Sequence, residues 1–421
     1  MRRAAFLPVL VLLAACSPRV VLGDERFGEY LPLLEGRRVA ILSNHSGIVG
    51  DKVENWCLPG CALVTEQTAG VPFGQPSDSL RPVVYGPHLL DVLLDKGVNV
   101  TAVFSPEHGF RGLADAGELV DSGTDEKTGI PVVSLYGRGS HTPTAADMDL
   151  FDVLLVDIQD VGLRYYTYYI TMQRMMEACA QYGRQVIVLD RPNPNGFYVD
   201  GPVLDMKYKS GIGSLPVCMV HGMTLGELAL MMNGEGWLRD GLQCSLTVIP
   251  CLNYSHGMRC TLIVPPSPNL KDMRSIYLYS STCFFEGTEV TAGRGTQYPF
   301  ELYGHPEMED RGFSFTPRSI PGARKPRYMD TECFGVDLRA IPLEDIWSEG
   351  INLEYLADAL EHMPSDSSFF MRNGHFELQV GVDWVRKMIL ARRPVAEIEA
   401  CWASDVARFK ELRRPYLLYP E

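Results

Sequence analysis

Five short apolar runs recur through the first half of the chain, at residues 39–42, 98–104, 132–135, 153–156 and 186–189, each breaking off in a polar turn that contains Gly or Pro. Several lack polar alternation, the pattern of strands covered on both faces. Between the runs lie segments of helical period. Residues 87–96 place Leu89, Val92, Leu93 and Lys96 at helix spacing, and residues 165–182 form a longer stretch without Gly or Pro. This alternation predicts an α/β fold, an open, mainly parallel, Rossmann-like sheet with helices on both faces.

The second half is less regular. Thr224 with Glu227 three residues on opens a predicted helix over 224–233, and residues 244–249 read as a strand. Residues 254–326, rich in Gly, Pro and aromatics, are expected to form long ordered loops. Helices are predicted over 353–363 and 395–412, in a smaller C-terminal α+β domain. The expected division is a catalytic domain over 28–250 and a second domain over 251–421 that completes a cleft.

Four of the runs end in chemically loaded turns: Asn44-His45-Ser46-Gly47, Ser105-Pro106-Glu107-His108-Gly109, Asp157-Ile158-Gln159-Asp160 and Asp190-Arg191-Pro192-Asn193. If the strands are parallel, all four turns meet at one edge of the sheet, where ligands of such folds bind. Glu107, on a tight turn after a buried strand, is the leading candidate for a general acid, with His108 beside it as an orienting or binding group. Asp157 and Asp160 are candidates for a second carboxylate, and capping a turn is an equally common task for them. Arg164 and Arg191 offer forked donors for a substrate carboxylate, or pair with Asp157 or Asp190. His221 precedes the 224–233 helix, and Glu286, Arg294 and Thr296 lie in glycine-flanked turns that permit close approach of a ligand.

Other features narrow the classes further. A formal charge of -14 argues against a nucleic-acid surface. The chain lacks a Gly-x-Gly-x-x-Gly run after a strand, a Walker loop, a Gly-x-Ser-x-Gly elbow and a His-Glu-x-x-His pair, so nucleotide, serine-hydrolase and zinc-protease chemistries lose weight. Arg2 and Arg3 precede a short apolar run ending in Leu13-Ala14-Ala15-Cys16, which resembles a bacterial lipobox. Residues 1–15 are then a signal peptide, Cys16 the lipidated first residue, and residues 16–27 a tether. Ser17, where Asp is associated with inner-membrane retention, points to the outer membrane facing the periplasm. Of the ten other cysteines, only Cys57 and Cys61 are spaced for a local disulfide.

Taken together, these strings resemble the exo-β-N-acetylmuramidase (NamZ-like) family of glycoside hydrolases. The likeness runs through Asn44-His45-Ser46-Gly47, Ser105-Pro106-Glu107-His108-Gly109-Phe110-Arg111-Gly112, Asp157-Ile158-Gln159-Asp160-Val161-Gly162, Arg164-Tyr165-Tyr166-Thr167-Tyr168, Asp190-Arg191-Pro192-Asn193-Pro194, His221-Gly222-Met223-Thr224, Glu286-Gly287-Thr288 and Gly293-Arg294-Gly295-Thr296. His45 departs from the Gln more usual there. The resemblance implies a Rossmann-like domain and a smaller domain meeting at a cleft. It also implies release of terminal N-acetylmuramic acid (MurNAc) from β-1,4-linked MurNAc–GlcNAc peptidoglycan saccharides, without metal, nucleotide or other cofactor. Glu107 is then the proton donor, assisted by Asp157 or Asp160. Arg164, Arg191 or Arg294 binds the lactyl carboxylate, and Asn44, His45, Ser105, Arg111, Gln159, Tyr166, Asn193, His221, Glu286 and Thr296 bind the rest of the sugar. A non-catalytic muropeptide-binding lipoprotein would use the same contacts and leave the saccharide intact.

Overall fold

A computed structural model describes residues 19–50, 86–107, 109–110, 122–136, 142–262 and 264–421. Cys16, Cys57, Cys61, His108 and Arg111 lie outside these residues.

Seven strands form one sheet: β1 (Val39–Ser43), β2 (Val100–Ser105), β3 (Gly123–Thr124), β4 (Pro131–Ser134), β5 (Val153–Asp157), β6 (Gln185–Leu189) and β7 (Ser245–Ile249), in the order β3-β4-β2-β1-β5-β6-β7. All neighbours pair in parallel except β3, an antiparallel edge on β4. Counted from β4 to β7, this is the 3-2-1-4-5-6 order of Rossmann sheets, and its switch point falls between β1 and β5. Every residue of β1 and of β5 is buried, as the apolar runs before Ser43 and Asp157 require. Val39 and Ile41 face a layer that includes Tyr30 and Leu34 of α1 (Phe27–Leu34) and Leu89, Leu90 and Leu93 of α2 (Leu89–Asp95). Ala40 and Leu42 point the other way, towards α4 (Tyr168–Tyr182) and α5 (Leu225–Gly234), with the short α3 (Ala145–Met148) beside them. Helix α5 carries the expected capping box: Thr224 Oγ1 accepts from the Glu227 N–H at 3.2 Å, and Glu227 accepts from the Thr224 N–H at 2.9 Å.

The second opposite-face cluster runs on without a break into the C-terminal part. This part holds a three-stranded antiparallel sheet, in the order β8 (Leu302–His305), β10 (Cys333–Asp337), β9 (Ser314–Phe315). Around it stand α6 (Met273–Thr282), α7 (Leu343–Glu349), α8 (Glu354–Glu361), α9 (His375–Val380), α10 (Trp384–Leu390), α11 (Val395–Ala400) and α12 (Ala403–Arg413). Two expectations change here. The stretch 254–326 is not loop throughout, because α6 stands in it, capped by Asp272 accepting from the Ser275 N–H. Its Ser, Tyr and Thr content is weakly helical, and burial of Ile276, Tyr277 and Leu278 supplies what propensity does not. The single helix expected over 395–412 is broken into α11 and α12 at Trp402, whose buried indole donates to Asp200 at 2.8 Å.

Residues 19–27 are packed onto the fold. Val21 and Leu252 exchange backbone hydrogen bonds, the Gly23 N–H donates to the Asp190 carbonyl, and Arg26 donates to the Pro250 carbonyl. The segment thus crosses the carboxyl ends of β6 and β7. Among the described residues no helix is long and apolar enough to cross a membrane.

Candidate active site

Because β2, β1, β5 and β6 are parallel neighbours, their following turns share one edge of the sheet, as the sequence pattern requires. At the switch point the β1 and β5 turns are tied together. Asn44 Oδ1 accepts from the Ser46 N–H and hydroxyl, and Ser46 Oγ in turn accepts from the Gln159 N–H at 3.0 Å. Buried His45 contacts the Pro265 carbonyl through Nε2 at 2.8 Å. The hydroxyls of Tyr166 and Tyr168, whose rings meet edge to face, both donate to the Pro266 carbonyl at 2.8 and 2.9 Å. The segment Pro265-Pro266, which follows β7 in the chain, is thereby strapped over the strand ends.

Glu107 stands one turn beyond β2 and is half-buried. Its Oε2 accepts from Thr167 Oγ1 at 2.8 Å, and the Tyr136 hydroxyl lies beside it, with burial and the Glu107 charge pushing that phenol up to about 12. The same carboxyl is within electrostatic reach of the buried Tyr166 and Tyr168 phenols, on which Asp160 also acts. Glu107 and Asp160 thus border one tyrosine pair.

The two candidate second carboxylates have different surroundings. Asp157 is fully buried and accepts from Arg191 Nε at 2.6 Å, while Arg191 Nη2 donates to Asp24 at 2.7 Å and to the Ile48 carbonyl. Burial raises Asp24 to about 7, against the pull of Arg191. Asp160 Oδ1 accepts from the Gly162 N–H at 2.7 Å, and Oδ2 of both Asp157 and Asp160 has no hydrogen-bond partner among the described residues. Burial raises Asp160 to about 7, partly offset by the Gly162, Val161 and Tyr169 N–H groups. Asp160 lines a small cavity with Gln159, Arg191, Asn193 and Thr224. Gly162 has φ of 77°, and a Cβ there would strike the Asn193 amide at 2.2 Å, so this turn closes only around glycine.

Several expected ligands turn out to be occupied internally. Arg164 is wholly buried, with Nη1 donating to the Pro202 and Val217 carbonyls and Nη2 to those of Gln379 and Val380, so it cannot receive a substrate carboxylate. Arg191 is likewise occupied by two aspartates, the pairing that the sequence left open for Asp157. The Gln159 amide donates to the Asp160 and Pro192 carbonyls. Asn193 uses its amide between the Met223 carbonyl and the Asn195 N–H. Ser105 Oγ turns back on the Pro106 carbonyl, and Thr296 closes its own turn through the Gly293 carbonyl and the Tyr298 N–H. His221 is buried, accepts the Met223 N–H at Nδ1, and is lowered to about 3 by burial and by the Arg413 and Arg164 charges, so it is neutral. Of the three candidate arginines only Arg294 keeps exposure, 28 %, and it pairs with Glu286 at 3.0 Å. Thr167, Tyr136, Tyr168 and the prolines of the strap were not singled out in the sequence. Thr167 and Tyr168 sit in a quoted string, but nothing in a linear pattern shows which hydroxyl reaches a carboxyl sixty residues away.

A Rossmann-order sheet carrying carboxylates at and beside its switch point, with the Pro265-Pro266 segment strapped over its strand ends, is the frame of an acid–base hydrolase. Comparison with known proteins specifies it. The models "Exo-beta-N-acetylmuramidase NamZ, N-terminal" and "C-terminal" match residues 63–274 and 277–419, and the chain belongs to this glycosidase family. It is 33 % identical to the peptidoglycan β-N-acetylmuramidase NamZ of Bacillus subtilis strain 168, over 96 % of this chain and 92 % of that one. Among solved structures it is similar to two DUF1343-family proteins of Bacteroides fragilis. One has a TM-score of 0.82 and 50 % identity, the other 0.69 and 26 %, and each alignment covers 96 % of this chain and 100 % of the other.

Proposed function

We propose that this protein releases the non-reducing terminal MurNAc from β-1,4-linked MurNAc–GlcNAc peptidoglycan fragments during cell-wall turnover, with Glu107 as proton donor. The observation that carries the reading is the placement of Glu107, half-buried at the strand-end edge and held by Thr167 beside the switch point. The Thr167 hydroxyl orients the carboxyl, which gives its proton to the glycosidic oxygen as the bond to the sugar C1 breaks and the oxygen of a water molecule takes its place on C1. Asp160 supports the second role better than Asp157. Among the described residues no cation pairs with it, and it lines the small cavity at the strand ends, whereas the Asp157 charge is spent on Arg191. Arg294 is the arginine left to meet the lactyl carboxylate, exchanging Glu286 for it.

A chromogenic MurNAc glycoside tests the reading. The wild type is expected to release the chromophore, and Glu107→Gln to lose on the order of 10²- to 10⁴-fold in kcat, the contribution of a positioned general acid, while keeping its unfolding midpoint. No release by wild type, or undiminished release by the variant, overturns it. Mass analysis of a digested MurNAc–GlcNAc disaccharide separates hydrolysis from binding without turnover.

For location, the proposal is a periplasmic lipoprotein of the outer membrane, acylated at Cys16, as the lipobox and Ser17 suggest. Recovery in inner-membrane fractions alone would refute the membrane assignment.

A further inference from the structure

Resting on the lipid-anchor reading, a second question is how the molecule lies on the membrane that holds it. Two residues separate Cys16 from Arg19, so three peptide steps of 3.8 Å hold their Cα atoms within roughly 11 Å of each other. From Arg19 onward the chain is already fastened: its carbonyl accepts from Asn253 Nδ2 at 2.9 Å, and Val21 is paired with Leu252. No slack remains to let the body drift from the lipid. The point of attachment is also apolar. Val20, Leu22 and Met258 pack on Cys251, Tyr254 and Tyr419, and Leu252 and Leu418, each next in the chain to a member of that cluster, are exposed at 44 % and 41 %.

We propose that this face, centred on Leu252 and Leu418, rests on the phospholipid surface at the headgroup level, so that the carboxyl edge of the sheet is the membrane-proximal end of the protein. The fastening points fix the direction. Gly23 lies on Asp190, just past β6, and Arg26 reaches Pro250, just past β7. Glu107 follows β2, three strands from β6 in the same sheet, a spacing of about 14 Å along that edge. The proton donor therefore works close to the bilayer. The amino edge, where Leu33 and Tyr182 are exposed at 36 % and 38 %, points away from it. Two exposed leucines contribute little free energy in isolation. Beside two or three acyl chains they set orientation, because the anchor supplies the affinity.

The test uses the full-length acylated protein in vesicles of phosphatidylethanolamine and phosphatidylglycerol, with a photo-crosslinking residue replacing Leu252, Leu418, Leu33 or Tyr182 in turn. Phospholipid adducts are expected at 252 and 418, and none above background at 33 and 182. The mass of the N-terminal peptide is read from the same samples. Acylated Cys16 with equal adducts at all four sites overturns the orientation alone. Unmodified Cys16 overturns the anchor and the orientation together, and neither result touches the assignment of Glu107.

Discussion

Arg191 holds one guanidinium between two buried carboxylates, Asp24 and Asp157, at 2.7 and 2.6 Å. Removing it leaves two uncompensated buried acids. Arg191→Met is therefore expected to lose on the order of 3–5 kcal/mol of stability by urea unfolding, with a larger loss than Asp24→Asn. Asp160 gives the opposite pH signature to a salt-bridged aspartate. Its folded pKa, about 7, lies above the unfolded value, so the fold binds the extra proton, and this contribution is complete below the unfolded pKa and lost as pH rises through 7. Between pH 4 and 8 the stability of wild type should fall relative to Asp160→Asn by a few kcal/mol, read as diverging unfolding midpoints. Parallel midpoints would show that Asp160 is ionised without penalty. The four carbonyls around Arg164 carry a related lesson: a buried guanidinium paired with carbonyls alone serves as a strut between the segment joining β6 to α5 and helix α9.

At the scale of elements, the C-terminal sheet depends on backbone proximity. Gly304 and Gly335 face each other across β8 and β10, and a Cβ on Gly335 would fall 1.9 Å from the Tyr303 carbonyl oxygen. Gly335→Ala must push the two strands apart. A lowered melting temperature with β8–β10 amides exchanging faster is the expected outcome in hydrogen exchange. The break between α11 and α12 has a comparable anchor. Trp402→Phe keeps the ring but deletes the bond to Asp200, for an expected cost of about 1–3 kcal/mol.

Over the whole molecule, residues 19–27 and the C-terminal residues both return to the carboxyl edge of the sheet. The Tyr419 hydroxyl donates to Asp190 at 2.5 Å, the Leu418 N–H to Glu227 at 2.7 Å, and the His256 N–H to the Pro420 carbonyl. Burial raises Asp190 to about 6, and the donors from Thr224 and Tyr419 oppose that shift. Deleting residues 417–421 strips Asp190 and Glu227 of these donors at once. The truncated protein is expected to melt earlier and to lose turnover of the MurNAc glycoside, because Asp190 opens the β6 turn that carries Arg191. Unchanged melting would show the tail to be ornamental.

Five apolar runs and the residues after them were enough to establish the sheet, its parallel sense and the meeting of four polar turns at one edge. Those properties follow from local pattern: a strand buried on both faces is apolar throughout, and parallel connection places successive turns on one side. The short strands β8 and β9 and the weakly helical α6 escaped the same reading, since distant packing rather than local preference maintains them. Which carboxylate is left without a paired cation was also beyond the linear pattern. Asp157 and Asp160 lie three residues apart on one turn, yet the Arg191 guanidinium, brought in from the turn after β6 and shared with Asp24 of the N-terminal segment, neutralises only the first. Sequence determined which groups reach the edge; only the tertiary structure decided which of them remain available there, because hydrogen bonds and charges are satisfied by neighbours in space.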